Sequence, residues 1–216
     1  MASRLMHLYV GKLLAEKLDI KDKNRFLCGV ILPDAYLSGN KADYNTHYVH
    51  LSNDHKTMDF GRFYAEYKEK ILTDELYLGY YFHLVEDCAY RKFIYYTLDL
   101  LKLRGNKDFL DKLYADFHSL NSYIYGKMGK FQLSVPEKFE DEEINRLCPF
   151  QLSEFIEHME KDYLDEASSD HYYISPKICE EYFSRCLEAC LEEFEVIKAD
   201  KTPDPWKYCW RNPPVL

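Results

Sequence analysis

Residues 76–103, LYLGYYFHLVEDCAYRKFIYYTLDLLKL, decide the fold. Thr73, Asp74 and Glu75 ahead of them make a good helix start, and Gly105 behind them a good stop. Between the two, apolar and aromatic side chains occupy nearly every face of the helical wheel. A helix apolar all round belongs in the middle of a bundle, because none of its faces can be left to water. At about 1.5 Å per residue it is long enough to cross a small domain. The reading is one all-α domain over residues 1–216, a bundle of about seven helices around this central one.

On the N-terminal side, Ser3 can cap a helix running to about Leu18, with Leu5, Met6, Tyr9, Leu13 and Leu14 on its apolar face. A second helix starts near Asp22 and stops at Pro33, since proline pushes the residue before it out of the helical region. Residues 34–57 are polar, hold His47, His50 and His55, and read as an ordered loop. Met58 to about Leu72 is amphipathic. On the C-terminal side, helices are expected from Asn106 to Met128, from Ser153 to Ala167, and from the Ser175-Pro176 start to Ala199. Residues 129–150 read as a linker with a short helix. The tail TPDPWKYCWRNPPVL reads as extended, with Trp206 and Trp210 as anchors. No strand alternation stands out.

Composition narrows the function. The chain is 47% hydrophobic and 30% charged, which excludes a disordered segment. Its net charge of -9 argues against a duplex nucleic-acid surface, where Lys and Arg must supply the affinity. No run of eighteen apolar residues exists, so no transmembrane span is expected. Lys12, Glu16 and Lys17 break up the N-terminal stretch, so a secretory signal is not expected either. The seven cysteines form no C-x-x-C pair and read as reduced thiols of a cytoplasmic protein. Cys179, Cys186 and Cys190 share one helix face and read as core. Phosphate-loop, dinucleotide, nucleophile-elbow and H-E-x-x-H motifs are absent.

The central helix carries His83 and Asp87 where its pattern wants Leu. Their i, i+4 spacing puts both on one face, and Gly79, one turn earlier, leaves room for another group to approach. A buried ionised Asp costs several kcal/mol unless a cation or donors compensate it. His7 lies on the first helix in line with Gly11 and Leu14, Asp34 follows Pro33, and His47 follows Thr46. Singly, each fits a hydrogen-bonded core histidine or a turn-forming aspartate. Together, three imidazoles and two carboxylates on four segments are the donors Zn²⁺ prefers. Tyr77, Tyr80 and Tyr81 could shape such a pocket or simply pack, and Lys41 and Lys56 could contact phosphate or simply face solvent.

The order of these pieces resembles the zinc-dependent phospholipase C family, which is similar in fold to the single-strand-specific zinc nucleases. The pieces are His7 in RLMHLYVGKLL, the Gly29, Pro33, Asp34 turn, Thr46-His47, and G-Y-Y-x-H-L-x-x-D from Gly79 to Asp87. The resemblance covers roughly residues 3–125 and leaves 126–216, the C-terminal helices and Pro/Trp-rich tail, unmatched. It implies an all-α fold holding up to three zinc ions and hydrolysing phosphodiesters with metal-activated water. Position by position, it implies that Asp34, His47, His83 and Asp87 bind one zinc. It implies further that His7 and Asp87 bind a second and that Asp87 bridges the two; for the mechanism this would support, Asp34 is the candidate to orient the water or accept its proton while ligating zinc.

The chain also departs from that pattern. Secreted members ligate zinc with the amino group of a processed N-terminus, whereas six residues precede His7 here. A further histidine of the family is replaced by Arg91-Lys92-Phe93, and its second H-x-x-x-[ED] pair by His118 and Ser122. One or two zinc ions are therefore expected, with Asp116 and His118 as candidate substitutes for the missing ligands. The implied substrate is a small phosphate ester, a phospholipid head group included. The alternatives are a catalytically degenerate metal-binding relative and an all-α interaction protein with a hydrogen-bonded His–Asp core.

Overall fold

Two glycines set the geometry of the core. In a computed structural model that describes residues 2–36, 45–129, 132–159, 161–162 and 170–211, helix α2 (Lys23–Ile31) lies backbone to backbone against the central helix α4 (Glu75–Lys92). A Cβ on Gly29 would stand 2.1 Å from the Leu76 carbonyl oxygen, and one on Gly79 2.1 Å from that of Phe26. Only glycine permits such an approach. Gly79 thus makes room for a neighbouring helix backbone.

Around this pair, α1 (Arg4–Lys17) packs on α2, and α3 (Phe60–Ile71), α5 (Phe109–Met128), α6 (Leu152–Met159) and α7 (Pro176–Lys198) complete seven helices among the described residues. The fold is all-α with a small sheet attached. Its helix starts follow the capping chemistry of the sequence: Ser3 accepts from the Met6 N–H and Ser175 from the Ile178 N–H, with Pro176 at the first helical position. Helix α4 buries Leu76, Tyr80, Phe82, Leu84 and Val85 on different faces, as its composition requires. Cys179, Cys186 and Cys190 lie in the same core.

Three expectations need correction. The central α-helix ends at Lys92 and does not reach Leu103. A π-helical turn over Phe93–Thr97 follows, and Asp99 turns the chain with φ 55°, after which Leu101–Leu103 forms a 3-10 turn. Residues 34–57 are more than a loop. Val49–Ser52 (β1) and His55–Met58 (β2) form an antiparallel hairpin around Asn53-Asp54, and Trp210–Arg211 (β3) adds to β2. The tail, expected to be extended, instead turns through a 3-10 segment over Pro205–Tyr208 before this sheet edge, with Trp210 buried as an anchor. Helix α6 is described over Leu152–Met159, and positions 160 and 163–167 of the expected helix lie outside the described residues. Within 129–150 the short helical pieces are 3-10 turns, Phe139–Asp141 and Glu143–Arg146.

No helix among the described residues is long and apolar enough to cross a membrane.

Candidate metal centre

His7, Asp34, His47, His83 and Asp87 converge in the core where α1, the end of α2, the Thr46-His47 turn and α4 meet. Their donor atoms form two groups that could each hold a metal ion, His7 with His83 and Asp87, and Asp34 with His47 and His83. The close approach of α2 contributes directly. The Val30 carbonyl lies in the last turn of α2, where helix carbonyls lack intrahelical partners, and it accepts a hydrogen bond from His83 Nδ1 at 2.7 Å. His83 is thereby fixed as the tautomer whose Nε2 lone pair faces inward.

The other two imidazoles are held the same way. His7 Nδ1 donates to Glu86 Oε2 at 2.8 Å, and His47 Nδ1 lies 3.1 Å from Thr46 Oγ1. The Thr46 carbonyl in turn accepts from the Tyr80 hydroxyl at 2.6 Å, which pins the turn to α4. All three rings are thus gripped at Nδ1 and present Nε2 to one space. Anchoring the far nitrogen of an imidazole in this way is what surrounds metal-ligating histidines.

The inward atoms are closely spaced. His47 Nε2 stands 3.2 Å from His83 Nε2 and 3.2 Å from Asp34 Oδ1. Asp87 Oδ2 lies 3.7 Å from His47 Nε2 and 3.9 Å from His83 Nε2, while Asp87 Oδ1 lies 3.4 Å from His7 Nε2. A tetrahedral zinc ion with bonds of about 2.0–2.1 Å would space its donors roughly 3.3–3.4 Å apart. Three buried atoms facing this space, His7 Nε2, Asp34 Oδ1 and Asp87 Oδ2, have no hydrogen-bond partner. The donor set therefore fits a cation, and Asp87 turns one oxygen to each half of the centre.

Electrostatics point the same way. Burial alone would lower His7, yet Asp87 and Glu86 hold its pKa well above the usual imidazole range. Burial and the neighbouring His7 depress His83 to about 3, so it is a neutral donor. Burial would raise Asp34, but His47, His83 and His7 keep it at about 2. Against burial, neighbouring positive charge that includes His7 holds Asp87 well below the carboxylate range. The side chains of His7, His47, His83 and Asp87 are 0% exposed and that of Asp34 is 14% exposed, although its inward Oδ1 is buried.

The remaining candidates lie elsewhere. Asp116 is not part of the centre. Its carboxylate accepts from the backbone N–H groups of Tyr172, Tyr173 and Ile174 at 2.7, 2.7 and 2.8 Å, so it clasps the chain entering α7 to α5. His118, two residues on and so on the opposite face of α5, is exposed and lines a cleft of about 280 Å³ with Ala2, Arg4, Tyr114 and Asn121. Tyr77 binds Lys70, Glu142 and the Ile144 N–H, Tyr81 packs in the core, and only Tyr80 supports the centre. Lys56 sits in β2, and Lys41 lies outside the described residues. His50 and His55 pair with Asp59 and Asp54 at the surface.

Two participants escape the sequence reading. Glu86 is fully buried beside Asp87, and its signal was an acid on a helix with no solvated face to serve. Residues 2–6, ahead of His7, do not lead the chain away. The Ala2 backbone nitrogen donates to Asp87 Oδ1 at 3.1 Å in the buried interior.

No family model matches the chain, and neither a curated protein nor a solved structure matches it.

Proposed function

We propose that this chain is a divalent-metal-dependent hydrolase of phosphate esters, with zinc as the metal and phosphodiesters as the preferred substrates. The observation that carries the reading is the convergence of three imidazole Nε2 atoms on two carboxylates, with His7 Nε2, Asp34 Oδ1 and Asp87 Oδ2 left without partners. Three nitrogens and two carboxylates suit zinc better than the oxygen-seeking magnesium or calcium. The order of His7, Asp34, Thr46-His47 and Gly79 to Asp87, which resembles zinc-dependent phospholipase C, supports the phosphate-ester class.

His47, His83, Asp34 and Asp87 Oδ2 would hold one ion, and His7 with Asp87 Oδ1 a second. A bound ion of this kind neutralises phosphate charge and lowers the pKa of water. Asp34 combines a place among the inward donors with the one partly exposed side chain of the five. It would therefore orient the attacking water and accept its proton, which its low pKa permits only as a transient, hydrogen-bonded acceptor. Val30, Thr46 and Glu86 keep the rings in register, and the packed core around them excludes bulk water.

The test has two steps. Protein purified without added metal is assayed for zinc content, then for hydrolysis of bis(4-nitrophenyl) phosphate. Activity should disappear in His83→Ala and Asp87→Ala. A second reading, a metal-binding protein without turnover, is favoured by the complete burial of four of the five donors, since closed zinc sites are structural. Stoichiometric zinc with no hydrolysis of any phosphate ester tested would select it.

A further inference from the structure

The three imidazoles of the centre differ in what grips them. His83 leans on a backbone carbonyl and His47 on a threonine hydroxyl, both neutral, whereas His7 leans on the carboxylate of Glu86. Glu86 is wholly removed from water. Its Oε2 is engaged by His7 Nδ1, and its Oε1 has no hydrogen-bond partner. A carboxylate buried for a single hydrogen bond is a poor contributor to stability. Glu86 also follows Val85 and precedes Asp87 on α4, so adjacent acids reach the two nitrogens of one ring, Glu86 at Nδ1 and Asp87 at Nε2.

We propose that Glu86 is a positioning residue of the metal centre: through His7 Nδ1 it fixes the ring and strengthens His7 Nε2 as a donor to a divalent cation. The inference rests on the metal-binding reading and adds a role for a residue that touches no ion itself. A structural His–Glu pair accounts for the contact at Nδ1. It does not account for Nε2 being turned toward Asp87 and left without a hydrogen bond. Carboxylates placed behind a ligating imidazole hold its orientation and raise its basicity, and losing one costs about 10–100-fold in metal affinity.

The experiment uses the full chain, stripped by a chelator and titrated with Zn²⁺ against a competing indicator, and separately with Co²⁺ for its visible spectrum. Glu86→Gln keeps the shape and an amide oxygen for His7 Nδ1–H but removes the charge. It should bind Zn²⁺ about 10–100-fold more weakly and shift the Co²⁺ bands, with metal-free melting no lower than the parent's. Glu180→Gln, at the surface beside Lys127, should change neither reading. Zinc affinity within about twofold of the parent with an unchanged cobalt spectrum overturns the proposal. Should Glu86→Gln fail to fold, Glu86→Asp, which draws the carboxylate back by one methylene, must show the same weakening, and equal affinity there overturns it too. A parent chain that binds neither ion removes the metal reading itself, a failure distinct from that of Glu86 alone.

Discussion

Gly79→Ala tests whether the α2–α4 contact builds the centre or merely lies beside it. The added methyl would stand 2.1 Å from the Phe26 carbonyl oxygen and 2.9 Å from the Val30 nitrogen, where ordinary contact begins at 3.4 Å. Both are backbone atoms, so no side chain can swing aside, and the helices must part by about 1.3 Å or shear by a similar amount. The His83 Nδ1 to Val30 carbonyl bond is 2.7 Å long, and such a separation carries it beyond hydrogen-bonding distance. Overpacking costs about 1–3 kcal/mol, and the orphaned buried groups add roughly 1–3 kcal/mol. For a chain of this size a loss of about 4 kcal/mol lowers Tm by roughly 8–16 °C. Because the lost bond also fixes the His83 tautomer, zinc affinity should fall with it. Thermal melting and zinc titration read the two effects. Gly126→Ala, on α5 with nothing within 4 Å of the new methyl, serves as the control and should be neutral or slightly stabilising. A Gly79→Ala protein whose Tm lies within about 2 °C of the parent and whose zinc affinity is unchanged would refute the reasoning.

Asp116→Ala should cost at least about 3 kcal/mol, since one carboxylate serves three backbone N–H groups. It should leave zinc affinity intact, and a fall in affinity would return Asp116 to the centre. Native thiol titration should find Cys209 first, because the other six cysteines are buried and burial pushes Cys28 and Cys88 up to about 12. Rapid modification of more than one thiol without denaturant would contradict the packing. Zinc affinity should climb as pH rises from about 6 to 8. In the metal-free centre Asp87 and Glu86, working against burial, favour the proton on His7, and the ion must displace it. Affinity flat or falling over that interval, followed by calorimetry, would exclude His7 as a ligand.

The parts of the fold legible in the sequence are those that depend on neighbours in the chain. The all-round apolar pattern of α4, the Ser3 and Ser175 caps and the Pro176 start each act within a few residues, and each stands where the pattern puts it. The hairpin was hidden because β1 runs along the surface with polar or exposed side chains, so its HLS segment shows no apolar alternation. Its pairing is completed by Trp210 and Arg211, more than 150 residues away. The five donors were legible as a set because each is a polar residue in an apolar setting. The roles of Asp116 and Glu86 were not, since their partners lie 56–58 and 79 positions distant. In the sequence Gly79 signals only space for a group, and only the packed helices show that a whole backbone fills it.

Charge separates a metal centre from a dry polar core. Asp34, Glu86 and Asp87 crowd one interior with three carboxyl groups beside a neutral His83, and burial raises Glu86 to about 7 while Asp34 and Asp87 stay ionised. Without an ion, protonated imidazoles must hold these carboxylates charged, and the inward oxygens Asp34 Oδ1 and Asp87 Oδ2 lack hydrogen bonds of their own. One divalent ion brings the balance close to zero, and two leave an excess of positive charge that suits a phosphodiester anion. The consequence is a stability linkage. Saturating zinc at about a thousandfold above its Kd should add about 4 kcal/mol, raising Tm by roughly 8–16 °C over the stripped chain. His83→Ala, whose stripped form also melts lower for want of the Val30 bond, should lose most of that increment between its own stripped and zinc-saturated forms. If instead stripped and zinc-saturated chains melt together, the carboxylates are satisfied without an ion, and an interaction protein with a hydrogen-bonded His–Asp core becomes the better description.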